Sequence, residues 1–218
     1  MKEILKYLLR FIINIFSFFY NYECAREAKK YRNVFYSYWL KNSIAKCGKG
    51  FHVQSPAYFD GGKYMTIGDR FGSLERLRIE IRDEFAGTKF TPQLIIGDDV
   101  KMNYNNHIGC INSVKIGNNV LFASNVFITD HQHGFIDERD INVIPTNRSL
   151  FSRGPVVIED NVWIGENVVI MPDVTIGKGS IIGANSVVTK SFPEYSVLAG
   201  MPARLLKSLK IDQKDNEK

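Results

Sequence analysis

The stretch NVWIGENVVIMPDVTIGKGSIIGANSVVTK, residues 161–190, repeats with a period of six residues. An aliphatic side chain occupies every sixth position from Ile158 to Val188, and a second series of Val and Ser runs two residues ahead of it. A period of six fits neither an amphipathic helix nor a ladder of hairpins. It is typical of a parallel β-helix, in which each short strand directs one aliphatic side chain inward before the chain turns a corner.

Earlier parts of the chain follow the same rule. Ile116, Phe122 and Ile128 form one block, and the segments beginning at Ile96 and Ile67 look like still earlier rungs. Gly, Asn and Asp follow the aliphatic positions, where a corner needs unusual backbone angles. We therefore assign the aliphatic series to the core and expect it to carry the fold rather than chemistry.

The composition is that of one globular domain with a short appendage. The chain has 218 residues, of which 44% are hydrophobic and 23% charged, so it can bury a core. The cysteines Cys24, Cys47 and Cys110 form no CxxC pair and no Cys/His ligand spacing. This pattern argues against a disulfide scaffold or a zinc ribbon and fits a reducing compartment.

The positive charge is concentrated at the N-terminus. Residues 1–50 hold ten Lys/Arg against three Asp/Glu, whereas residues 51–218 hold eighteen against twenty. A nucleic-acid-binding protein would carry its basic residues on the body of the domain. We therefore expect no nucleic-acid partner.

Residues 4–20, ILKYLLRFIINIFSFFY, are the most apolar stretch of the chain. Lys6, Arg10 and Asn14 interrupt it at a spacing that places them on one narrow stripe of an α-helix. Such a helix can lie in the interface of an anionic membrane, with residues 1–21 as the contact. It can equally pack on its own body or a neighbouring subunit, and a cleaved signal peptide is the third alternative.

A second helix is predicted from about Glu23 to Leu40, with Tyr31, Phe35, Tyr38 and Trp39 on one side. Turn residues follow at Cys47–Gly50. We therefore divide the chain into a helical, basic N-terminal arm (residues 1–48), a β-helix domain (residues 49–205) and a short C-terminal tail (residues 206–218).

The hexads resemble those of the hexapeptide-repeat acyltransferases over roughly residues 50–207. The stretch 161–190 and the closing segment Ala199-Gly200-Met201-Pro202-Ala203-Arg204 are similar to the sugar O-acetyltransferase branch that includes galactoside and maltose acetyltransferases. The resemblance implies a mainly β fold, a left-handed parallel β-helix shaped as a triangular prism. It also implies acetyl-CoA as co-substrate, no metal, and a homotrimer with sites between adjacent subunits.

Two interruptions of the period are candidate sites, because loops on rigid scaffolds carry function. One is Leu74–Pro92; the other runs from Thr129 to Pro155 and contains His131 and His133. Histidine can take a proton from a hydroxyl near neutral pH, and His131 matches the general base of the family. His133 either bounds the acceptor or is structural. Asp130 either steers the imidazole or caps the loop.

The resemblance implies further site residues. Asn103 falls on an acceptor-binding asparagine of the family, although an asparagine in a corner is the alternative, and we expect His107 to be structural. Trp163 matches a tryptophan beside the cofactor thiol, or it packs against the next subunit. The remaining matches to the coenzyme A groove are Ala184, Thr189, Lys190, Arg204 and Lys207. Three of these residues are cationic, which suits coenzyme A because the cofactor is a multiply charged phosphate ester.

The expected reaction is transfer of an acetyl group from acetyl-CoA to a hydroxyl of a sugar, without a covalent enzyme intermediate. The N-terminal arm and the charged histidine loop differ from the galactoside and maltose branch. They agree better with enzymes that modify polysaccharide or lipopolysaccharide precursors, in the cytoplasm or at the inner membrane face.

The sequence leaves three alternative functions. The first is an N-acetyltransferase acting on an amino-sugar nucleotide with the same cofactor. The second is a β-helical carbonic anhydrase, which binds zinc through three histidines across a subunit interface; the spacing of His107, His131 and His133 does not match that pattern. The third is a non-catalytic scaffold, which the histidine loop argues against.

Overall fold

The computed structural model describes residues 2–135 and 137–209. Two helices, α1 (Lys2–Phe19) and α2 (Tyr22–Lys41), precede an array of short strands. Single 3₁₀ turns lie at Gly62–Tyr64, Glu138–Asp140 and Pro145–Asn147. In chain order the strands are β1 (Lys46–Cys47), β2 (His52–Val53), β3 (Tyr58–Asp60), β4 (Met65–Ile67), β5 (Gly72–Ser73), β6 (Arg78–Ile81), β7 (Glu84–Phe85), β8 (Thr88–Lys89), β9 (Gln93–Ile96), β10 (Lys101–Met102), β11 (His107–Cys110), β12 (Ser113–Ile116), β13 (Leu121–Phe122), β14 (Phe127–Thr129), β15 (Gln132–His133), β16 (Leu150–Phe151), β17 (Val156–Ile158), β18 (Trp163–Ile164), β19 (Val169–Ile170), β20 (Val174–Ile176), β21 (Ile181–Ile182), β22 (Val187–Val188), β23 (Ser196–Ala199) and β24 (Arg204–Ser208).

The strands wind into a three-sided prism, as the six-residue period predicts. Each side is a sheet of parallel strands, except for the antiparallel pair β23–β24 at the end of one side. Face A has the order β1-β4-β9-β12-β17-β20, and face B has β2-β5-β10-β13-β18-β21-β23-β24. Face C has the order β22-β19-β14-β11-β6-β3. Each coil therefore contributes one strand to each face before the chain rises by one rung. The fold is a left-handed parallel β-helix.

The aliphatic series lies inside the prism. Ile116, Phe122 and Ile128 are each at most 2% exposed, and the series from Ile158 to Val188 is equally buried. The corners use left-handed backbone angles, most often at asparagine: φ is 61° at Asn125 and 58° at Asn185. Asparagine is one of the few residues besides glycine that tolerates this conformation. The repeat thus sets both the core and the corners.

Helix α2 covers the first coil of the prism. Ser37 accepts a hydrogen bond from the backbone N–H of Val53 at 2.8 Å, and the Asn33 side chain accepts one from Ser55. These contacts bury Asn33, Ser37 and Leu40. The opposite side of α2 is exposed and carries the predicted aromatic set, Tyr31, Phe35, Tyr38 and Trp39.

Helix α1 buries none of its residues. Its apolar side chains, such as Phe11 and Ile12, are more than half exposed, so the expectation that it packs on its own body is wrong for the single chain. Within the described residues, neither helix combines the length and hydropathy that a bilayer-spanning segment requires.

Two boundaries differ from the prediction. The prism begins at β1, which pairs in parallel with β4 from Lys46 onward, because Cys47 belongs to a strand rather than to a turn. At the other end β24 runs past residue 205 to Ser208, since it pairs antiparallel with β23. The part of the tail from residue 210 onward lies outside the described residues.

The first predicted interruption is shorter than expected. Strand β6 keeps its place on face C, with Leu77, Ile79 and Ile81 buried. The departure from the prism is the hairpin β7–β8 that follows it. The second interruption begins after β14 and contains a small antiparallel pair, β15–β16.

Candidate active site

A groove of about 540 Å³ lies on face C where the two interruptions meet. Its floor is the outer surface of β6, β11 and β14, and the β7–β8 hairpin and the histidine loop flank it. The residues that line it are Glu80, Arg82, Phe85, His107, Gly109, Phe127, Thr129, His131, Gln132, His133, Leu150 and Met171.

Asp130 and His131 form a hydrogen-bonded pair at this groove. The Nδ1 atom of His131 lies 2.9 Å from Oδ1 of Asp130. The Asp130 side chain is completely buried, whereas that of His131 is 17% exposed. An aspartate that accepts from Nδ1–H fixes the tautomer in which Nε2 carries the lone pair. Nε2 is therefore the atom that can accept a proton from a substrate.

The backbone of the preceding coil holds Asp130 in place. Its carboxylate accepts hydrogen bonds from the N–H groups of Ile111, at 3.0 and 3.2 Å, and of Asn112, at 2.8 Å. A buried charge needs such partners. Asp130 therefore contacts the imidazole of His131 and also ties the histidine loop to the prism.

The His131 ring packs over Gly109 of β11. A Cβ at Gly109 would lie 3.1 Å from Cε1 of His131, so glycine leaves the space that the ring occupies. Thr129 fixes the backbone beside it: its Oγ1 accepts from the N–H of His131 at 3.2 Å and donates to the His131 carbonyl at 2.9 Å. Asp130 and Gly109 thus fix the ring of His131, and Thr129 fixes its backbone.

His133 lines the same groove from the outer wall. It pairs with Leu150 in the β15–β16 hairpin, and its ring meets Phe85 edge-on at 5.3 Å. His133 is exposed. This position allows contact with a molecule in the groove.

The sequence reasoning missed Glu80 and His107, which line the groove as well. Nε2 of His107 lies 3.1 Å from Oε2 of Glu80. His107 was expected to be structural, yet its side chain is 30% exposed toward the groove. A signal was available: both residues alternate with buried Ile79, Ile81 and Ile108, so they had to face outward.

Asn103 does not lie in this groove. It is exposed at the corner between β10 on face B and β11 on face C. There it borders a separate depression with His52 and Lys101. Within one chain the structure does not bring Asn103 together with His131.

The residues expected to hold coenzyme A also separate. Trp163 is 51% exposed on face B, and Ala184 lies at the corner between faces B and C. Arg204 and Lys207 lie on β24 at the end of face B. Thr189 and Lys190 follow β22 at the far edge of face C, where the Lys190 ammonium lies 5.6 Å from the centre of the Phe192 ring.

Cys110 is no alternative nucleophile. Burial, and then the charge of Asp130, raise the pKa of its thiol well above the usual range, so the thiolate is not formed near neutral pH. Across the described ranges, no set of three or more His, Cys, Asp or Glu side chains is arranged to hold a metal ion.

Comparisons with known proteins agree with this architecture. A family model described as "Bacterial transferase hexapeptide (six repeats)" matches residues 155–190. The Escherichia coli K12 protein described as "Putative lipopolysaccharide biosynthesis O-acetyl transferase WbbJ" is 39% identical over 170 residues, which cover 76% of this chain and 83% of WbbJ.

Two solved structures are similar to the prism. A galactoside acetyltransferase in complex with coenzyme A is 31% identical, with a TM-score of 0.50 over 78% of this chain and 68% of that one. An N-acyltransferase from Bacillus cereus has a TM-score of 0.66 at 19% identity, over 79% of this chain and 88% of that one, and shows the fold. The chain therefore belongs to the hexapeptide-repeat transferase family, in its acetyl-CoA-dependent sugar O-acetyltransferase branch.

Proposed function

We propose that the chain transfers an acetyl group from acetyl-CoA to a hydroxyl of a sugar or glycan precursor, of the capsule, exopolysaccharide or lipopolysaccharide type, with His131 as general base. The observation that carries the proposal is the Asp130–His131 pair, which directs a proton-accepting nitrogen to a groove on face C. The relation to WbbJ supports a glycan acceptor.

The chemistry follows from the pair. His131 takes the proton of the acceptor hydroxyl on Nε2 as the oxygen attacks the thioester carbonyl, and Asp130 stabilises the resulting imidazolium. The tetrahedral intermediate then expels the thiolate of coenzyme A. His131 returns its proton to that sulfur, and the products are the acetyl ester and free coenzyme A.

We infer that the active unit is a homotrimer. The proposed cofactor residue Trp163 lies on face B, whereas His131 lies at face C. A neighbouring prism that places its face B against this face C completes the site: it brings Trp163, Ala184, Arg204 and Lys207 of one chain to His131 of another. Asn103 joins the acceptor site in the same way, and Thr189 and Lys190 border the cofactor from the edge of face C.

The proposed location is the cytoplasm, with peripheral contact at the inner membrane face. Helix α1 carries Lys2, Lys6 and Arg10 beside apolar side chains of which none is buried, a combination that binds anionic lipid interfaces. A variant lacking residues 1–21 should remain trimeric but lose sedimentation with phosphatidylglycerol vesicles. Unchanged sedimentation removes the membrane role.

The test of the function is acetyl transfer measured by mass spectrometry. Acetyl-CoA is incubated with a panel of hydroxyl glycosides, lipid-linked sugars and amino-sugar nucleotides. We expect O-acetyl esters that disappear in His131→Gln and persist in the control Lys115→Gln, which lies on the exposed side of face A. Transfer to the amino sugars alone would replace the proposal by N-acetylation, and equal turnover by His131→Gln would remove the assigned base.

A further inference from the structure

Glu80 is the centre of a polar cluster beside His131. Its carboxylate contacts Nη2 of Arg78 at 2.9 Å, Nη2 of Arg82 at 3.3 Å and Nε2 of His107 at 3.1 Å. Arg82 also pairs with Asp60 at 3.1 Å. The two arginines are thus balanced by two carboxylates, and the cluster presents directional hydrogen-bonding groups without a net charge.

His107 is fixed in this cluster from two directions. Its ring stacks on Phe127, with the ring centres 4.8 Å apart, while Nε2 is held by Glu80. Burial, and then the charge of Arg78, lower the pKa of His107, with Glu80 acting in the opposite direction. The ring is therefore neutral at pH 7. Because Nε2 donates to the carboxylate, Nδ1 is left as an acceptor.

The cluster and the proposed base share one strand as their floor. His107 and Gly109 lie two residues apart on the outer side of β11, and the His131 ring sits over Gly109. Two residues of strand correspond to about 6.5 Å. This separation spans one sugar ring, so a single pyranose can contact the Glu80–His107 pair with one hydroxyl while another reaches His131.

We propose that the Glu80–His107 pair is the acceptor subsite of the enzyme, and that it binds the hydroxyls of a neutral pyranose ring lying in the groove between His107 and His131. The inference rests on the proposed function, since it names the residues that present the acceptor to His131. Phe85 and Phe127 supply apolar surface for the C–H face of the sugar. The balanced charge disfavours a phosphate at this position, so a phosphate-linked acceptor would place its anionic arm elsewhere.

Two variants test this subsite while leaving the rest of the groove unchanged. Glu80→Gln keeps the shape of the side chain but removes its charge, and His107→Phe keeps the stacking on Phe127 but removes the hydrogen bond. Asp99→Asn is the matched control, because Asp99 forms a comparable ion pair with Arg70 outside the groove.

The experiment is a titration of the full-length protein with methyl pyranosides of galactose, glucose, mannose and rhamnose, followed by NMR of histidine-labelled protein. We expect at least one pyranoside to shift the ring signals of both His107 and His131. Its Kd should rise about tenfold or more in Glu80→Gln and in His107→Phe, the loss of one or two good hydrogen bonds. The KM for acetyl-CoA in the acetyl-transfer reaction should stay within about twofold in both variants.

The proposal is overturned if no pyranoside shifts His107, if Glu80→Gln binds as tightly as Asp99→Asn, or if inorganic phosphate alone shifts His107. A raised KM for acetyl-CoA in these variants would also overturn it, by assigning the cluster to the cofactor. Failure of the proposed enzymatic function gives a different result. In that case the unmodified protein binds a pyranoside at His107 but transfers no acetyl group.

Discussion

Thr88 and Ser149 lie 61 residues apart in sequence, and their hydroxyl oxygens lie 2.6 Å apart. Thr88 belongs to the hairpin β7–β8, and Ser149 closes the loop that carries the histidines. Phe85 and His133 make a second contact between the same two segments. The two interruptions of the repeat therefore form one continuous wall of the groove, and each depends on the other for its position.

The Thr88–Ser149 contact should restrain the histidine loop. We expect Thr88→Val to increase amide exchange at the β15–β16 hairpin, with a loss of about 0.5–1 kcal/mol in its local opening free energy. Ser149→Ala should do the same, and the double variant should add little, because both changes remove one hydrogen bond. Additive effects in the double variant, measured by hydrogen exchange and mass spectrometry, would show that the two hydroxyls act independently.

Asp130→Asn should damage catalysis more than folding of the prism. An amide has no charge to stabilise the imidazolium and can hold the wrong tautomer, so we expect kcat to fall roughly 100- to 10,000-fold. The KM for acetyl-CoA should change less than about twofold. The matched control is Asp137→Asn in the same loop, where the aspartate is exposed and pairs with Arg139. Equal kcat values for the two variants would contradict the assigned contact.

Gly109→Ala should act on the His131 ring directly. The added Cβ would lie 3.1 Å from Cε1 of His131, which the contacts of Asp130 prevent from moving freely. We expect kcat to fall about tenfold or more, because displacement of a catalytic group by a fraction of an ångström is costly. Gly72→Ala on face B is the control, since its Cβ would meet only the flexible chain of Lys101 at 3.2 Å. Equal kcat in both variants would show that the ring tolerates the methyl group.

The sequence predicts the prism well because its core rule is local. Every sixth residue must be aliphatic, and the corner residues must tolerate left-handed angles, so Ile164 or Asn167 can be placed by counting. The groove is different, because it depends on contacts between segments distant in sequence. Nothing in the local pattern at Gly109 reveals that His131 will lie above it. Glu80 and His107 are recognised as partners only once the register of β6 and β11 is known.

Arg78 should control the protonation of His107. Burial is the first cause of the lowered pKa of His107 and the charge of Arg78 is the second, so Arg78→Met should raise that pKa toward the usual value of about 6.5. Because the folded state binds this proton more weakly than the unfolded chain does, His107 reduces stability as the pH falls below about 6.5. This loss of folding stability at low pH should be smaller in Arg78→Met than in the control Arg70→Met, because the pKa of His107 is lowered less in Arg78→Met. NMR titration of His107 gives the pKa, and an unchanged value would contradict the role of Arg78.

Ser37→Ala should destabilise the protein by weakening the contact between helix α2 and the first coil of the prism. Ser37 is 3% exposed and accepts from the N–H of Val53, while its hydroxyl contacts the Asn33 carbonyl at 2.7 Å. Alanine leaves that buried N–H without its partner, which costs about 1–3 kcal/mol, and thermal unfolding measures the loss as a lower Tm. Ser43→Ala is the control, because Ser43 is exposed and makes one hydrogen bond within the turn. A Tm as high as that of the control would mean that α2 does not stabilise the open edge of the prism through Ser37.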